Sequence, residues 1–322
     1  MPAAEIALWA RTRDVSRTAI SSALWQERTL VRTSCMRQTL HLIPAADFSL
    51  FIRALERSRF AALMRIMGKF GITEAEVVGL NESILDALKA EPLTQRELAE
   101  RIRSGAGKNV RAWMARVWSP LRPAIVRGLI CYGPDRGRES TFVRLDRWLP
   151  NLPDTSEAEA KQMLLRRYLG AYGPATRQDF SRWSGIPAAE AATVWESLTG
   201  ELVEVKLDDE KRFLLREDCA ELADADFEKP VLRLLPAFDP YLLGHAAKSH
   251  LLDDRYYKRV YRSQWWISPA ILLDGRIIGT WSHTRKSKRS QLEVRLFEKT
   301  SKSLGARIET EAAALSSFLE RR

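Results

Sequence analysis

Residues 175–186 read Ala-Thr-Arg-Gln-Asp-Phe-Ser-Arg-Trp-Ser-Gly-Ile, and this stretch decides the predicted fold of the 322-residue chain. It predicts a short helix and a turn, after which Ala188–Leu198 predicts a second helix. Leu202–Leu207 and Phe213–Arg216 then have the residue pattern of two strands. Helix, turn, helix and β-hairpin in this order indicate a winged-helix module, whose usual partner is a nucleic acid.

A second copy of this order lies upstream. Leu93-Thr94-Gln95-Arg96-Glu97-Leu98 stands where residues 175–180 stand in the first segment, and helix Val110–Arg127 follows it. Strands Leu129–Tyr132 and Thr141–Leu145 complete the copy. The spacing of the two copies predicts a tandem array of modules rather than a solenoid of short repeats.

The chain changes character from Val231 onward. Asp274-Gly275 is a strong signal for a two-residue hairpin turn, and Ser301–Arg321 predicts a closing amphipathic helix. We expect residues 230–299 to form a small β-barrel or curled sheet, which makes the fold class α+β. The β-like stretches are Val231–Leu235, Trp265–Ile267, Ala270–Leu273, Ile277–His283 and Gln291–Leu296.

Composition indicates a polyanion as the partner. The chain carries a net charge of +10, and 45% of its residues are hydrophobic, which is typical of globular proteins. No apolar run approaches the ~18 residues of a membrane span, and the N-terminus lacks a signal-peptide pattern. We therefore expect a cytoplasmic, nucleoid-associated protein without a membrane partner. Cys35, Cys131 and Cys219 lack Cys-x-x-Cys spacing, so we expect no metal and no cofactor.

Basic residues are distributed unequally between the two copies. The second helix of the upstream copy is basic, whereas helix Ala188–Leu198 contains mostly alanine, glutamate and tryptophan. We expect the upstream copy to contact nucleic acid through that helix and the downstream copy to serve mainly as a scaffold. The predicted contacts are Lys108, Arg111 and Arg116 upstream, and Arg177 and Arg182 downstream.

The densest charge run lies at residues 283–289, between two β-like stretches. As a loop tip, it predicts contact with a phosphate backbone through Arg285, Lys286, Lys288 and Arg289. The alternative is a solvated loop that keeps a sheet edge from pairing.

A further candidate site lies near the N-terminus, where Arg37, Thr39 and His41 alternate. If this stretch is a strand, the three side chains share one face. A guanidinium, a hydroxyl and an imidazole on one face can hold a phosphate or orient a water. The alternative is a polar strand face that hydrogen-bonds neighbouring backbone, with His41 as a satisfied partner.

Five motifs in a fixed order span almost the whole chain. They are Leu8-Trp9-Ala10-Arg11, Leu30-Val31-Arg32-Thr33, Met36-Arg37-Gln38-Thr39-Leu40-His41-Leu42-Ile43, Leu235-Pro236-Ala237-Phe238-Asp239-Pro240-Tyr241-Leu242 and Asp274-Gly275-Arg276-Ile277-Ile278-Gly279-Thr280-Trp281. In this order they resemble the winged-helix DNA-binding family of AlkZ-like and YcaQ-like crosslink-repair DNA glycosylases.

The resemblance implies three tandem winged helices and a β-barrel in a C-shaped arrangement, with the first winged helix truncated in this chain. The boundaries we expect are 1–72, 73–153, 154–228 and 229–322. The implied partner is double-stranded DNA, alkylated or crosslinked, and we expect a monomer. Arg37, Thr39 and His41 become the catalytic candidates. Arg11 and Arg32, the arginines of two matching motifs, join the predicted DNA contacts.

The implied reaction is hydrolysis of the N-glycosidic bond of an alkylated purine, a cationic leaving group that needs little acid catalysis. The family positions water with a Gln-x-Gln or Gln-x-Asp pair just upstream of the Leu-Trp-x-Arg helix. No glutamine of this chain forms such a pair. Either the true start lies further upstream or this member lacks the pair, so we expect catalysis only if the pair precedes Met1.

Two other functions are compatible with the same residues. One is a non-enzymatic winged-helix DNA-binding protein or transcriptional regulator, because winged helices are more often regulators than enzymes. The other is an RNA-binding or scaffold protein that uses its β-rich tail to bind a partner. Neither alternative requires the missing glutamine pair.

Overall fold

The computed structural model describes residues 2–117, 119–207, 209–225, 230–286 and 289–321. The chain divides into two compact units, each built from discontinuous segments. The terminal unit contains Met1–Ser21, Leu169–Trp183 and Glu201–Arg322, and the central unit contains Ser22–Tyr168 and Ser184–Gly200. Helices and antiparallel strands occur in both units, so the fold is mixed α and β, as predicted.

The helices of the described residues are α1 (Pro2–Trp9), α2 (Arg17–Trp25), α3 (Phe48–Gly68), α4 (Glu74–Ala87), α5 (Gln95–Arg103), α6 (Lys108–Met114), α7 (Arg122–Val126), α8 (Leu145–Trp148), α9 (Glu157–Tyr172), α10 (Arg177–Ser184), α11 (Ala188–Glu196), α12 (Cys219–Ala223), α13 (Pro240–Leu243), α14 (Tyr257–Val260) and α15 (Lys302–Glu320). None of these helices is long and apolar enough to cross a membrane.

The strands are β1 (Leu30–Ser34), β2 (Leu40–Pro44), β3 (Leu93–Thr94), β4 (Ile130–Tyr132), β5 (Thr141–Arg144), β6 (Leu202–Leu207), β7 (Glu210–Leu215), β8 (Leu232–Leu235), β9 (Ala270–Leu273), β10 (Arg276–Lys286) and β11 (Arg289–Leu296). They form four antiparallel sheets with the orders β1-β2, β3-β5-β4, β6-β7 and β11-β10-β9-β8.

The central unit contains the upstream repeat in the predicted order, from α4 to β5. Thr94 caps α5 in a capping box with Glu97, which satisfies two backbone donors at the helix start. The continuous helix predicted over residues 110–127 is wrong, because it is split into α6 and α7. Pro120 and Pro123 lie at the break, and Pro123 stands in the first turn of α7, where its missing N–H costs nothing.

The N-terminal hairpin belongs to the central unit. Strands β1 and β2 pair in a register that sets Thr33 opposite His41. Their connection is a tight turn in which Arg37 and Gln38 adopt φ values of 52° and 61°. Val31 and Ile43 pack on the α3 residues Phe48 and Ile52, so the buried face of the hairpin is apolar.

In the terminal unit, the C-terminal strands form an open sheet rather than the predicted barrel. Among the described residues, β8 and β11 are the edges of the four-stranded order and do not pair with each other. The two-residue turn at Asp274-Gly275 is confirmed, with φ values of 47° and 80°. Helix α15 buries Ile308, Leu315 and Leu319 of its predicted apolar face.

Gly279 of β10 is required by close packing against β11. A Cβ atom at this position would lie 2.7 Å from the carbonyl oxygen of Arg295 and 3.1 Å from Cα of Leu296. Both neighbours are backbone atoms, so they cannot move aside as a flexible side chain would.

We expect Gly279→Ala to lower the free energy of unfolding by about 1–3 kcal/mol through overpacking. Gly305→Ala is the matched control, because Gly305 lies within α15 and a Cβ there meets nothing within 4 Å. Alanine favours helix, so this control should stabilise the protein by about 0.5–1 kcal/mol. Chemical denaturation of the two variants measures both effects, and equal effects would contradict the packing argument.

Candidate functional site

The terminal unit contains a cavity of about 720 Å³ that opens to solvent. Helix α1 contributes its first turns to the wall, and the segment after β8 contributes another side. The lining residues are Ala3, Ile6, Pro236, Ala237, Arg259, Arg262, Trp266, Ser268, Pro269, Thr280, Trp281, Ser282, His283 and Arg295. Side chains from both ends of the sequence therefore meet at one site.

An ion pair joins the residues just after α1 to the segment that follows β8. The Arg11 guanidinium donates two hydrogen bonds to the Asp239 carboxylate, at 2.9 and 2.5 Å. Asp239 is only 1% exposed, and it also caps α13 by accepting from the Tyr241 amide at 2.9 Å. Burial by itself would lower the pKa of Arg11. The hydrogen bond to Asp239 and the negative charge of Asp239 have the larger combined effect, so the pKa of Arg11 is raised. Arg11 thus holds these two segments together, and its predicted DNA contact stays a prediction.

A second contact joins the other C-terminal motif to the same wall. The Trp281 indole is buried and donates to the carbonyl oxygen of Leu235 at 2.8 Å. The Tyr241 hydroxyl donates to the carbonyl oxygen of Gly275 at 3.2 Å. These bonds fix the turn after β9 and the segment after β8 relative to one another, and Trp281 faces the cavity between them.

Cations and aromatic rings surround the cavity. Arg259 lies over the rings of Tyr256 and Phe297, at 5.2 and 5.6 Å from their centroids. The Arg262 side chain makes no hydrogen bond or ion pair with any described residue. Trp266 is 49% exposed and meets the Phe238 ring edge to face at 5.2 Å. Guanidinium groups are suited to bind phosphates, and aromatic planes are suited to stack on bases.

Sequence reasoning missed this cavity, although a signal was present. Residues 255–266 read Arg-Tyr-Tyr-Lys-Arg-Val-Tyr-Arg-Ser-Gln-Trp-Trp, in which basic and aromatic residues interleave without an acidic residue. This pattern is typical of nucleic-acid surfaces. The predicted strand Trp265–Ile267 is wrong, because Ser263–Trp265 forms a tight turn.

The catalytic candidates of the N-terminal hairpin lie in the central unit. The predicted alternation on one strand face is wrong for Arg37, which lies in the turn, whereas Thr39 and His41 do meet. Nε2 of His41 lies 2.9 Å from the Thr39 hydroxyl and 3.3 Å from the carbonyl oxygen of Met36. A carbonyl only accepts, so we assign the imidazole proton to Nε2.

His41 is held in its neutral form. Burial lowers its pKa to about 4, and the charges of Arg37 and Arg59 act in the same direction, whereas the hydrogen bond that the imidazole donates to the Met36 carbonyl oxygen acts to raise it. Arg59 of α3 is 7% exposed and donates to the carbonyl oxygen of Ser34 at 3.0 Å. Its Nε and Nη1 atoms have no hydrogen-bond partner among the described residues. The hairpin thus combines a neutral imidazole with a buried guanidinium.

Arg32 has a structural role instead of the predicted DNA contact. Its side chain is 2% exposed, and its guanidinium donates to the Asp135 carboxylate at 3.1 and 2.6 Å. A further bond reaches the carbonyl oxygen of Gly133 at 3.0 Å. The guanidinium also lies 5.0 Å from the ring centroids of both Trp25 and Tyr132. Because every direction around it is occupied by protein, Arg32 anchors the hairpin to the turn after β4.

The remaining predicted DNA contacts lie on other elements. Lys108, Arg111 and Arg116 are exposed on or after α6, and Arg177 and Arg182 are exposed on α10. Arg285, Lys286 and Arg289 lie in the β10–β11 hairpin, but their side chains lie outside the described residues, as does Lys288 entirely. No group of three metal-binding side chains is arranged for a metal ion in the described part of the chain.

Comparison with known proteins identifies the family to which this chain belongs. The family described as DNA glycosylase AlkZ-like matches residues 1–318. The chain belongs to the AlkZ-like DNA glycosylase family. The resemblance inferred from the five motifs is therefore confirmed, and so are the predicted DNA partner and a DNA glycosylase function on damaged DNA.

Both the sequence match and the structure match reported for this AlkZ-like protein come from Streptomyces sahachiroi. An interstrand DNA cross-link repair glycosylase is 33% identical over 287 residues, which cover 78% of this chain and 70% of that protein. The solved structure of the DNA glycosylase AlkZ is similar with a TM-score of 0.84 at 28% identity. That match covers 100% of this chain and 87% of the other.

The ion pair between Arg11 and Asp239 predicts that a conservative substitution of Asp239 lowers the free energy of unfolding. Asp239→Asn removes the negative charge from a buried site and weakens both bonds to Arg11, so the free energy of unfolding should fall by about 1–3 kcal/mol. Glu293→Gln is the control, because Glu293 pairs with Arg295 on the surface and such pairs contribute about 0–1 kcal/mol. Equal losses of unfolding free energy for the two variants in urea denaturation would show that the buried pair contributes no more to stability than the surface pair.

The lowered pKa of His41 predicts a pH dependence of stability. The unfolded chain binds a proton at this residue below about pH 6.5, whereas the folded chain binds it only near pH 4. The stability that neutral His41 confers is therefore complete above pH 6.5 and is lost as the pH falls toward 4. His41→Gln should unfold with a shallower pH dependence across this window. Thermal melts at several pH values test this, and parallel curves for both proteins would contradict it.

Proposed function

We propose that this AlkZ-like protein hydrolyses the N-glycosidic bond of alkylated purines in duplex DNA, crosslinked purines included, and that the terminal-unit cavity receives the extruded base. The observation that carries the proposal is the cavity itself, because two of the five family motifs, residues 235–242 and 274–281, contribute side chains to its wall. Its volume of about 720 Å³ lies within the range of small-molecule sites. The name of the S. sahachiroi cross-link repair glycosylase supports the crosslinked substrate.

The cavity is suited to a cationic base. Alkylation at a ring nitrogen gives a purine a positive charge, and an aromatic face attracts a cation through its quadrupole. Trp266 supplies such a face in the cavity wall, whereas Arg259 and Arg262 lie where they can bind the flanking phosphates. Undamaged purines are neutral and gain less from the same face, which favours the lesion.

Cleavage of the bond leaves the electron pair with the purine and an oxocarbenium-like sugar that a water must attack. In the family, the glutamine pair that positions this water precedes the Leu-Trp-x-Arg helix. That helix is α1, and its residues Ala3 and Ile6 line the cavity. We propose that the attacking water is positioned at this wall of the cavity.

We assign the N-terminal hairpin to the DNA backbone. Arg37 supplies charge, and neutral His41, supported by Thr39, supplies a hydrogen bond near a sugar or phosphate. Lys108, Arg116, Arg177 and Arg182 are further backbone contacts, since they are exposed and bond to no described side chain. These contacts carry no sequence information, as a repair enzyme requires.

We further propose that the elements form three winged-helix modules, at 1–72, 73–153 and 154–228, followed by a sheet module at 229–322, and that the protein acts as a monomer. The support is the repeated order of helices followed by an antiparallel strand pair, in α5 to β5 and in α10 to β7.

Release of alkylated base from methylated or crosslinked duplex DNA tests the proposal, using this chain and a form extended by its upstream-encoded residues. We expect release by the extended form. Trp266→Ala should reduce kcat/KM for the cationic lesion about 10-fold through loss of the aromatic face. Leu222→Ala is the control, because Leu222 is an exposed apolar residue on α12 outside the cavity. No release by either form, together with a footprint at one DNA sequence, would instead favour a regulator.

A further inference from the structure

A closed loop beside the cavity carries an exposed tryptophan. Tyr261 and Ile267 form an antiparallel bridge, and the Arg262 amide donates to the carbonyl oxygen of Trp266 at 2.8 Å. These contacts pin the base of residues 262–266, which we name the Trp265 loop. Trp265 stands at its tip and is 94% exposed, far more than any other large hydrophobic residue described.

The backbone of the Trp265 loop is strained. Gln264 and Trp265 adopt consecutive φ values of 58° and 62°, in the left-handed region that residues with side chains rarely occupy. Such strain persists only where the surrounding structure imposes it, and it concentrates at functional sites. Here the strain does not serve packing within the protein, because the indole that it orients remains in water.

The loop places two successive indoles in different surroundings. Trp266 lines the cavity and contacts Phe238, whereas Trp265, the residue before it, projects into solvent. Arg262 begins the loop, and its guanidinium has no partner among the described residues. Residues 255–266 contain no acidic side chain, so the charge of this surface favours a polyanion over an ordinary protein partner.

We propose that Trp265 is a wedge that enters the DNA base stack and fills the space left by the extruded nucleotide. The inference rests on the proposed function, since it requires a base to leave the stack for the cavity. Extrusion loses stacking energy, and an inserted planar side chain restores part of it. Trp265 is thus a positioning residue, which stabilises the open duplex while the neighbouring Trp266 contacts the base in the cavity.

The proposal predicts a preference for DNA in which the space is already vacant. A duplex with a stable abasic-site analogue has no base to extrude or to cleave, so its binding is independent of glycosylase activity. We expect the wild-type protein to bind it about 10-fold more tightly than the intact duplex, which corresponds to about 1.4 kcal/mol. Fluorescence anisotropy with both duplexes at one fixed salt concentration measures this ratio.

Substitutions at the tip test the wedge. Trp265→Ala should abolish the preference and leave affinity for the intact duplex unchanged, whereas Trp265→Phe should retain most of it. Leu222→Ala, an exposed apolar residue elsewhere in the terminal unit, should behave as the wild type. A preference that survives in Trp265→Ala, or that the wild type never shows, would overturn the proposal.

Two further readouts separate the possible failures. If the wild type sediments as a dimer and Trp265→Ala as a monomer, the tip is a self-association contact and the wedge is wrong. If base release fails but the preference depends on Trp265, the wedge stands and the proposed hydrolysis does not. If base release proceeds equally in wild type and Trp265→Ala, with no preference in either, only the wedge is overturned.

Discussion

The ion pair between Arg11 and Asp239 is the contact on which the terminal unit depends. It joins the residues just after the N-terminal helix to the segment after β8, and its carboxylate is buried. Asp239 simultaneously caps α13, so the same side chain sets the position of Pro236, Ala237 and Phe238 in and beside the cavity. A buried carboxylate is stable only when charged and polar partners surround it, so the cavity wall and the ion pair form or fail together.

The count of 51 lysines and arginines overstates the cationic surface available to DNA. Arg11 and Arg32 donate hydrogen bonds to buried or partly buried carboxylates and to backbone carbonyl oxygens. Arg59 donates to the backbone of the N-terminal hairpin. These arginines hold segments of the protein together. Exposed cations without a partner among the described residues, such as Arg262 at the cavity, remain accessible to phosphate. Function therefore depends on which cations stay unpaired, and a charge count does not reveal this.

Local features were predictable wherever neighbouring residues decide them. The upstream repeat, the capping box of Thr94 and the turn at Asp274-Gly275 all follow from short-range geometry, and the structure has them. The barrel was wrong because closure depends on whether β8 and β11 meet, and no local pattern specifies that. The single helix over residues 110–127 was wrong because apolar periodicity outweighed two prolines that should have divided it.

The sequence by itself determined the family, because the order of five motifs survives without knowledge of any contact, and it determined that the partner is DNA. Only the tertiary structure decided which motif residues serve the fold and which face a ligand. Arg11 and Arg262 are both exposed arginines on a basic chain, yet Arg11 is paired with Asp239, whereas the Arg262 side chain has no partner among the described residues. The difference arises from a partner 228 residues away along the chain, and long-range pairing of this kind leaves no mark on local sequence.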